Sequence, residues 1–267
     1  MQFWQSSQLD EALKVARDIV MASSGITLKY FRKKFDIEKK ADQSLVTVAD
    51  KECEIFIREH LQGTFPTHTF LGEELGEQKA DSSFRWLIDP VDGTINFTRG
   101  LPFWGTLLAL EHEGEIVLGV IHLPAMNQTI FAAKGRGCFN GKERLSVSSV
   151  QSLSEASLVF GDLKYFFPQP QNAGFMGLAK KVYHSRGWGD CYGYTPVITG
   201  AAEIMIDPIA NPWDIAPMII CIEEAGGRLS DYKGERTIYG GNAVATNGLL
   251  HEEVLKILNS TTVESDS

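Results

Sequence analysis

The chain reads as an α/β (α+β) fold, with helical and strand patterns alternating along most of its length. Three observations predict this. Apolar residues near the N-terminus recur at three- and four-residue spacing, at Leu9, Ala12, Leu13, Ala16 and Val20, the period of an amphipathic helix. Two apolar runs, at 105–112 and 115–122, meet at Glu113-Gly114, which is a hairpin signal, and a third strand follows at 129–133. In the second half, helical patterns at 172–183 and 252–258 bracket short apolar strands.

The length of 267 residues suits one large domain or two closely joined halves. We expect a single domain over residues 1–267, with an N-terminal half to about 150 and a C-terminal half from about 151 to 260. Hydrophobic residues make up 43% and charged residues 22%, enough to bury a core. The net charge of −9 argues against nucleic acid or an anionic membrane as a partner, since both call for a basic face. A small phosphorylated molecule stays open, because a bound cation inverts the local field. Cys53, Cys138, Cys191 and Cys221 form no C-x-x-C pair and read as reduced thiols of a cytoplasmic protein. The histidines do not cluster at zinc-ligand spacing. No basic segment leads into an apolar run at the N-terminus, so no leader is expected, and no stretch approaches the ~18 apolar residues of a membrane span.

Taken in order, residues 7–31 form the first helix, with Ser7 and Asp10 resembling a capping box. Residues 33–40 hold four lysines and read as a solvated loop or as a mobile flap near an anion. Thr47 stands three residues before Asp50, a helix-start signal for a helix running to about Leu61. Asp50 is thereby either a capping acid or a functional one. At 69–74 an apolar pair enters Gly72-Glu73-Glu74, which is either a strand ending in acids or a solvated loop. Gly135, Gly137 and Gly141 mark a tight turn, and residues 146–160 suit a connection between halves. Residues 184–190 form a glycine-flanked loop in which Arg186 either caps a helix or faces a substrate. A helix is expected at 195–203, then a short strand at 204–206 ending at Asp207. Asp214 is placed to N-cap a helix with Pro217 in its first turn, ended by Gly226-Gly227. A strand at 228–231 and the closing helix precede a polar tail, 261–267, expected to be disordered.

The most informative stretch is 86–97. Trp86-Leu87-Ile88 reads as a buried strand that runs into Asp89 and Asp92 around Pro90. Carboxylates there are costly unless neutralised, and a hard divalent cation such as Mg²⁺ takes carboxylate oxygens. Gly93 lets a backbone N–H approach an anion, and Thr94 adds a hydroxyl. Metal-assisted phosphoryl chemistry is one reading; an Asp-Pro, Asp-Gly turn closing a strand is the other.

Four features taken together resemble the inositol monophosphatase family of Mg²⁺-dependent, lithium-sensitive phosphatases. They are Gly-Glu-Glu at 72–74, Asp-Pro-Val-Asp-Gly-Thr at 89–94, Trp-Asp at 213–214 and Glu-Ala-Gly-Gly at 224–227. The resemblance covers about residues 7–258 and implies a five-layered α-β-α-β-α sandwich. It implies metal ligation by Glu73, Asp89, Asp92, Asp214 and the Val91 carbonyl, with two or three Mg²⁺ ions. It implies that Asp50 and Thr94, with Glu73, handle the attacking water, that Glu74 is an outer acid, and that Asp92-Gly93-Thr94-Ile95 cradles the phosphate. It also suggests a homodimer. Pro217-Met218 departs from the small residues usual at this point of the family pattern.

Members of that family hydrolyse several esters. Residues 186–194 and 202–214 look most like the histidinol-phosphatase branch, which serves histidine biosynthesis. Asp207 stands where inositol phosphatases tend to carry Glu, and could pair with a cationic amine; Arg186 aligns with a substrate-side arginine. Histidinol phosphate is therefore the expected substrate, with Asp92 and Asp214 also facing it, and inositol 1-phosphate or a broader range of esters the alternative. A metal-binding module without catalysis would not need Asp50 and Thr94 beside the acids, and the net charge argues against an RNA-associated role.

Overall fold

The computed structural model describes residues 6–33, 37–39 and 45–260. The tail at 261–267, and residues 34–36 and 40 of the lysine-rich segment, lie outside the described residues. Helices α1 (Ser6–Tyr30) and α2 (Val48–Thr64) pack on each other, with the short antiparallel pair β1 (Ile37–Lys39) and β2 (Leu45–Thr47) between them in sequence. The predicted apolar stripe of α1 buries Ala12, Ala16 and Val20. The first large sheet takes β3 (Thr69–Gly72), β4 (Gly76–Gln78) and β5 (Phe84–Asp92). After the short α3 (Thr94–Thr98) it continues through β6 (Gly105–His112), β7 (Glu115–Leu123), β8 (Gln128–Ala133), β9 (Gly137–Asn140) and β10 (Glu143–Leu145). Its eight strands run in the order β10-β9-β8-β7-β6-β5-β3-β4, antiparallel except for the β3–β5 pair.

The second sheet has five strands, in the order β12-β11-β13-β15-β14. They are β11 (Ser157–Phe160), β12 (His184–Arg186), β13 (Ile204–Asp207), β14 (Arg228–Ser230) and β15 (Ala243–Thr246). Around them lie α4 (Asn172–Lys181), α5 (Asp190–Ile198), α6 (Pro212–Glu224) and α7 (His251–Leu258). Helices α1 and α2 cover one face of the first sheet, α5 and α6 fill the space between the sheets, and α4 with α7 covers the far side of the second. The result is the expected α-β-α-β-α sandwich. Its largest apolar cluster takes Leu107 and Ile121 from one sheet, Met205 and Ala245 from the other, and Ile219 from α6. Among the described residues, no helix is long and apolar enough to cross a membrane.

Four local differences from the sequence reading matter for the site. The strand at Trp86 does not stop before the acids: β5 continues through Asp92, and its register with β6 shifts between Asp89, opposite Leu107, and Asp92, opposite Gly105. The extra residue is a bulge, centred where Pro90 has no N–H to contribute, and Thr106 Oγ1 donates to the Pro90 carbonyl at 2.8 Å. The glycine-rich 135–141 segment builds β9 as well as a turn, because the Glu224 carboxylate accepts the N–H groups of Gly135 and Gly137 at 2.7 and 2.6 Å. The helix expected at 195–203 instead spans Asp190–Ile198 and ends before Gly200, whose φ is +73°. Finally, Asp214 is not the N-cap of α6. Asn211 is, with Pro212 at the first helical position and Asp214 as the third-residue acid of a capping box. Pro217 accordingly lies inside α6, seated against Gly119 of β7, where a Cβ would stand 2.8 Å from the Pro217 Cα.

Candidate active site

The bulge in β5 and the first turn of α6 bring Asp89, Asp92 and Asp214 together. One oxygen of each lies within 4.8 Å of the others. Backbone donors aim the three groups. Val91 N–H donates to Asp89 Oδ1 at 3.0 Å, Asn211 N–H donates to Asp214 Oδ2 at 2.7 Å, and Cys191 N–H donates to Asp92 Oδ2. Asp89 is buried, and Asp92 and Asp214 are half-buried.

Asp50 and Glu73 stand close enough to be felt. Burial pushes Asp89 well above the usual carboxylate range, and the charges of Glu73, Asp92, Asp214 and Asp50 push it further. Burial, then Asp190 and Asp214, raise Asp92. Burial, with Glu73 adding to it, raises Asp214 to about 7. Asp50 is raised to about 6 by burial, against the hydrogen bonds it receives from Thr47. These bonds come from the Thr47 hydroxyl and from Thr47 N–H at 2.9 Å, so the capping role of Asp50 is real. Only Oδ2 is used; the buried Oδ1 of Asp50 has no hydrogen-bond partner among the described residues. A crowd of oxygen donors that raise one another's pKa, with an orphaned buried oxygen beside it, is a donor set that fits hard divalent cations.

Immediately after Asp92 the chain turns. Gly93, at φ +82°, precedes α3, and a Cβ there would meet the Phe103 carbonyl at 2.9 Å and Asp190 Oδ2 at 3.1 Å. The first N–H groups of a helix have no partner within it, and in α3 these belong to Thr94 and Ile95. Thr94 Oγ1 donates to the Val91 carbonyl at 3.0 Å, which leaves the Thr94 oxygen as an acceptor for any further partner.

Beside the cluster opens a cavity of about 350 Å³, lined by Asp92, Asp214, Asp162, Asp190, Asp207, Tyr165, Tyr194 and Ile209 among others. No lysine or arginine among the described residues lines it. Asp207 accepts from Tyr194 Oη at 3.4 Å, and burial raises its pKa well above normal. Asp190 sits at φ +55°, accepts from Asn96 Nδ2 at 2.8 Å, and is raised to about 6 by burial. Asp162 accepts from Lys164 N–H at 2.9 Å. Arg186 lies elsewhere. It is exposed, donates to the carbonyl of its neighbour Ser185 at 2.8 Å, and lines a different cavity with Trp188 and Tyr192.

Asp162 and Asp190 line this cavity without being singled out by the sequence, although a signal exists. Leu158-Val159-Phe160 runs into Gly161-Asp162, and the strand at His184–Arg186 leads through Gly189 into Asp190. Both repeat the pattern of an apolar or strand segment entering Gly-acid that drew attention to Glu73.

Comparison with known proteins agrees with this architecture. A sequence profile described as the inositol monophosphatase family matches residues 8–262. A histidinol-phosphatase of Mycobacterium tuberculosis is 42% identical over 229 residues, covering 84% of this chain and 88% of that one. A histidinol-phosphatase of Chlorobaculum parvum is 37% identical over 235 residues, covering 88% and 91%. Among solved structures, an IMPase of Thermotoga maritima superposes with a TM-score of 0.84 at 32% identity, covering 95% of this chain and 97% of that chain.

Proposed function

This chain belongs to the inositol monophosphatase family and is a phosphatase, and from that premise we propose that it hydrolyses the phosphate ester of a small cationic amino alcohol, histidinol phosphate. The observation that carries the choice is the cavity beside the carboxylate cluster. Asp162, Asp190 and Asp207 face it in addition to Asp92 and Asp214 of the cluster, and no lysine or arginine among the described residues offsets them. A neutral polyol can donate hydroxyl hydrogen bonds to such carboxylates but leaves their charge in place, whereas an ammonium or imidazolium group both donates and neutralises them. The histidinol-phosphatases that resemble this chain support the same choice.

The site residues divide into two sets on this reading. Glu73, Asp89, Asp92, Asp214 and the Val91 carbonyl hold two or three Mg²⁺ ions. Bound there, Mg²⁺ supplies charge neutralisation for the phosphate oxygens and lowers the pKa of water. Gly93, Thr94 and Ile95 receive the phosphate on their backbone N–H groups. Thr94 Oγ1, its proton committed to the Val91 carbonyl, accepts a hydrogen bond from the attacking water and so orients it. The unpartnered Oδ1 of Asp50, on a carboxyl raised to about 6, is an acceptor for the proton released. Glu73 acts with them, close enough for its charge to raise Asp50. Asp207 and Asp190 hold the alcohol by its cationic end, and Asp92 and Asp214 border both sets. Arg186 enters as a rim residue, supported by the family resemblance alone; Glu74 is an outer acid.

The reading extends to a single domain, supported by the apolar cluster shared between both sheets, and to a homodimer, supported by the family. Four buried free cysteines support a reducing, cytoplasmic location. The test is phosphate release from histidinol phosphate, inositol 1-phosphate and fructose 1,6-bisphosphate, each with and without Mg²⁺. We expect Mg²⁺-dependent turnover with the highest kcat/KM for histidinol phosphate. Equal or better turnover of inositol 1-phosphate would discard the substrate assignment and leave the phosphatase intact.

A further inference from the structure

We propose that Glu54 is a positioning residue for Glu73, and that it sets the cation affinity of the carboxylate cluster by fixing the turn that carries this acid. The proposal rests on the cluster being a Mg²⁺ site. Asp50, Glu54 and Arg58 follow one another at four-residue intervals on α2, so they share one face of that helix. Glu54 is 0% and Arg58 7% exposed. Arg58 holds the Glu54 carboxylate with two nitrogens, Nε at 2.8 Å and Nη2 at 2.7 Å from Oε1, and Nη2 also donates to the Gly76 carbonyl. Glu54 in turn receives the two N–H groups that follow Glu73: Glu74 N–H on Oε2 at 2.8 Å and Leu75 N–H on Oε1 at 3.3 Å. On the other side, Glu73 N–H donates to the Ile88 carbonyl at 3.1 Å, one residue before Asp89.

Glu73 is thus referenced to two rigid elements at once, β5 with Asp89 and α2 with Asp50. A buried ion pair adds little stability over a well-packed apolar pair. An apolar pair here would leave two turn N–H groups without acceptors, and the turn would drift. Gly72 shows how closely the carboxylate is built in. A Cβ at that position would lie 1.9 Å from Glu54 Oε1, and the Gly72 φ is outside the left-handed region, so close approach rather than conformation demands glycine.

The experiment uses the full chain with Glu54→Gln and Gly72→Ala, and with Gly63→Ala as control. A Cβ at Gly63 meets nothing within 4 Å. Mg²⁺ binding is measured by calorimetry on substrate-free protein, alongside the Mg²⁺ concentration for half-activation and the substrate KM at saturating Mg²⁺. We expect both substitutions to weaken Mg²⁺ about tenfold in both readouts, with kcat and KM at saturating Mg²⁺ changed by less than about threefold and the control unchanged. Wild-type Mg²⁺ affinity in folded Glu54→Gln and Gly72→Ala proteins overturns the proposal. So does a fall in kcat that saturating Mg²⁺ does not recover. If Glu54→Gln does not fold, Gly72→Ala decides; loss of fold in both assigns the clamp to stability and overturns it. A wild-type protein that binds Mg²⁺ but hydrolyses no phosphate ester removes the phosphatase reading while the calorimetric comparison still decides this one. A wild-type protein that binds no Mg²⁺ removes both.

Discussion

Asn96 donates from Nδ2 to the Asp190 carboxylate at 2.8 Å, and so joins α3 to the first residue of α5. The same nitrogen donates to the Phe103 carbonyl at 3.0 Å, which fixes the amide. One oxygen of Asp190 is therefore held at the cavity wall, in a residue whose positive φ already costs backbone energy. Asp190→Asn should raise KM for histidinol phosphate about tenfold, equivalent to about 1.4 kcal/mol, with kcat changed much less. KM for inositol 1-phosphate should stay level or fall. Steady-state kinetics at saturating Mg²⁺ decide this, and equal effects on both esters would remove Asp190 from substrate choice.

Asp92 carries the opposite expectation for activity and stability. Asp92→Asn removes the charge of one of three converging carboxylates, so kcat/KM should fall at least about 100-fold. The metal-free protein should melt no lower than wild type, because one of several mutually repelling groups has gone. Kinetics and calorimetric melting in EDTA test the two halves. Substantial destabilisation without metal would mean that Asp92 is mainly structural.

The carboxylate cluster also predicts how Mg²⁺ stabilises the fold at different pH. Asp50 and Asp214 are raised from 3.8 to about 6 and about 7. In metal-free protein the folded state therefore binds more protons than the unfolded state across this window, and stability falls as pH rises from about 4 to 7. Metal binding requires the deprotonated acids. The rise in Tm on adding Mg²⁺ should be larger at pH 8 than at pH 5. A shift independent of pH would separate the ion from these groups.

His251 acts in the reverse sense. It is buried, with Ser230 Oγ 2.9 Å from Nε2 and Thr246 Oγ1 3.0 Å from Nδ1. Burial, then the charge of Arg228, lowers its pKa from 6.5 to about 4. A histidine lowered in this way contributes stability in full above its unfolded pKa and loses it as pH falls from about 6.5 to 4. Urea unfolding of wild type and His251→Gln at pH 7, 5.5 and 4.5 should show the gap between the two proteins shrinking toward acid. A constant gap would mean that the ring stays neutral in both states.

What could be read without the structure was what is local. The α1 stripe, the hairpin at Glu113-Gly114 and the Thr47–Asp50 capping box are short-range patterns, and each appears in the fold. Glu73, Asp89 and Asp92 could be nominated because each closes an apolar run, and Asp50 and Asp214 because each sits at a helix start. The β5 bulge could not be read, since it exists only relative to β6. Asp214 was misplaced by three positions for a comparable reason: Asn211 and Asp214 are both capable caps, and Pro212 decides between them. Arg186 on β12 lines a cavity other than the acidic one, so its rim role rests on the family resemblance and not on a local pattern. Glu54 gave no signal of its own, as a glutamate in mid-helix is ordinary until the turn it holds is seen.

The order of the chain has a consequence for how such an enzyme changes its diet. The acids and the turn assigned to phosphate fall at residues 50–94 with Asp214, whereas Asp162, Asp190 and Asp207 fall between β11 and α6. On the proposed assignment the alcohol is met mainly by one continuous stretch, residues 162–207, hung on the second sheet. Grafting that stretch from one relative to another would exchange the alcohol accepted while the hydrolytic half stayed as it was. A shared hydrolytic half with an exchangeable alcohol-binding stretch would let relatives carry different substrate names on the same frame.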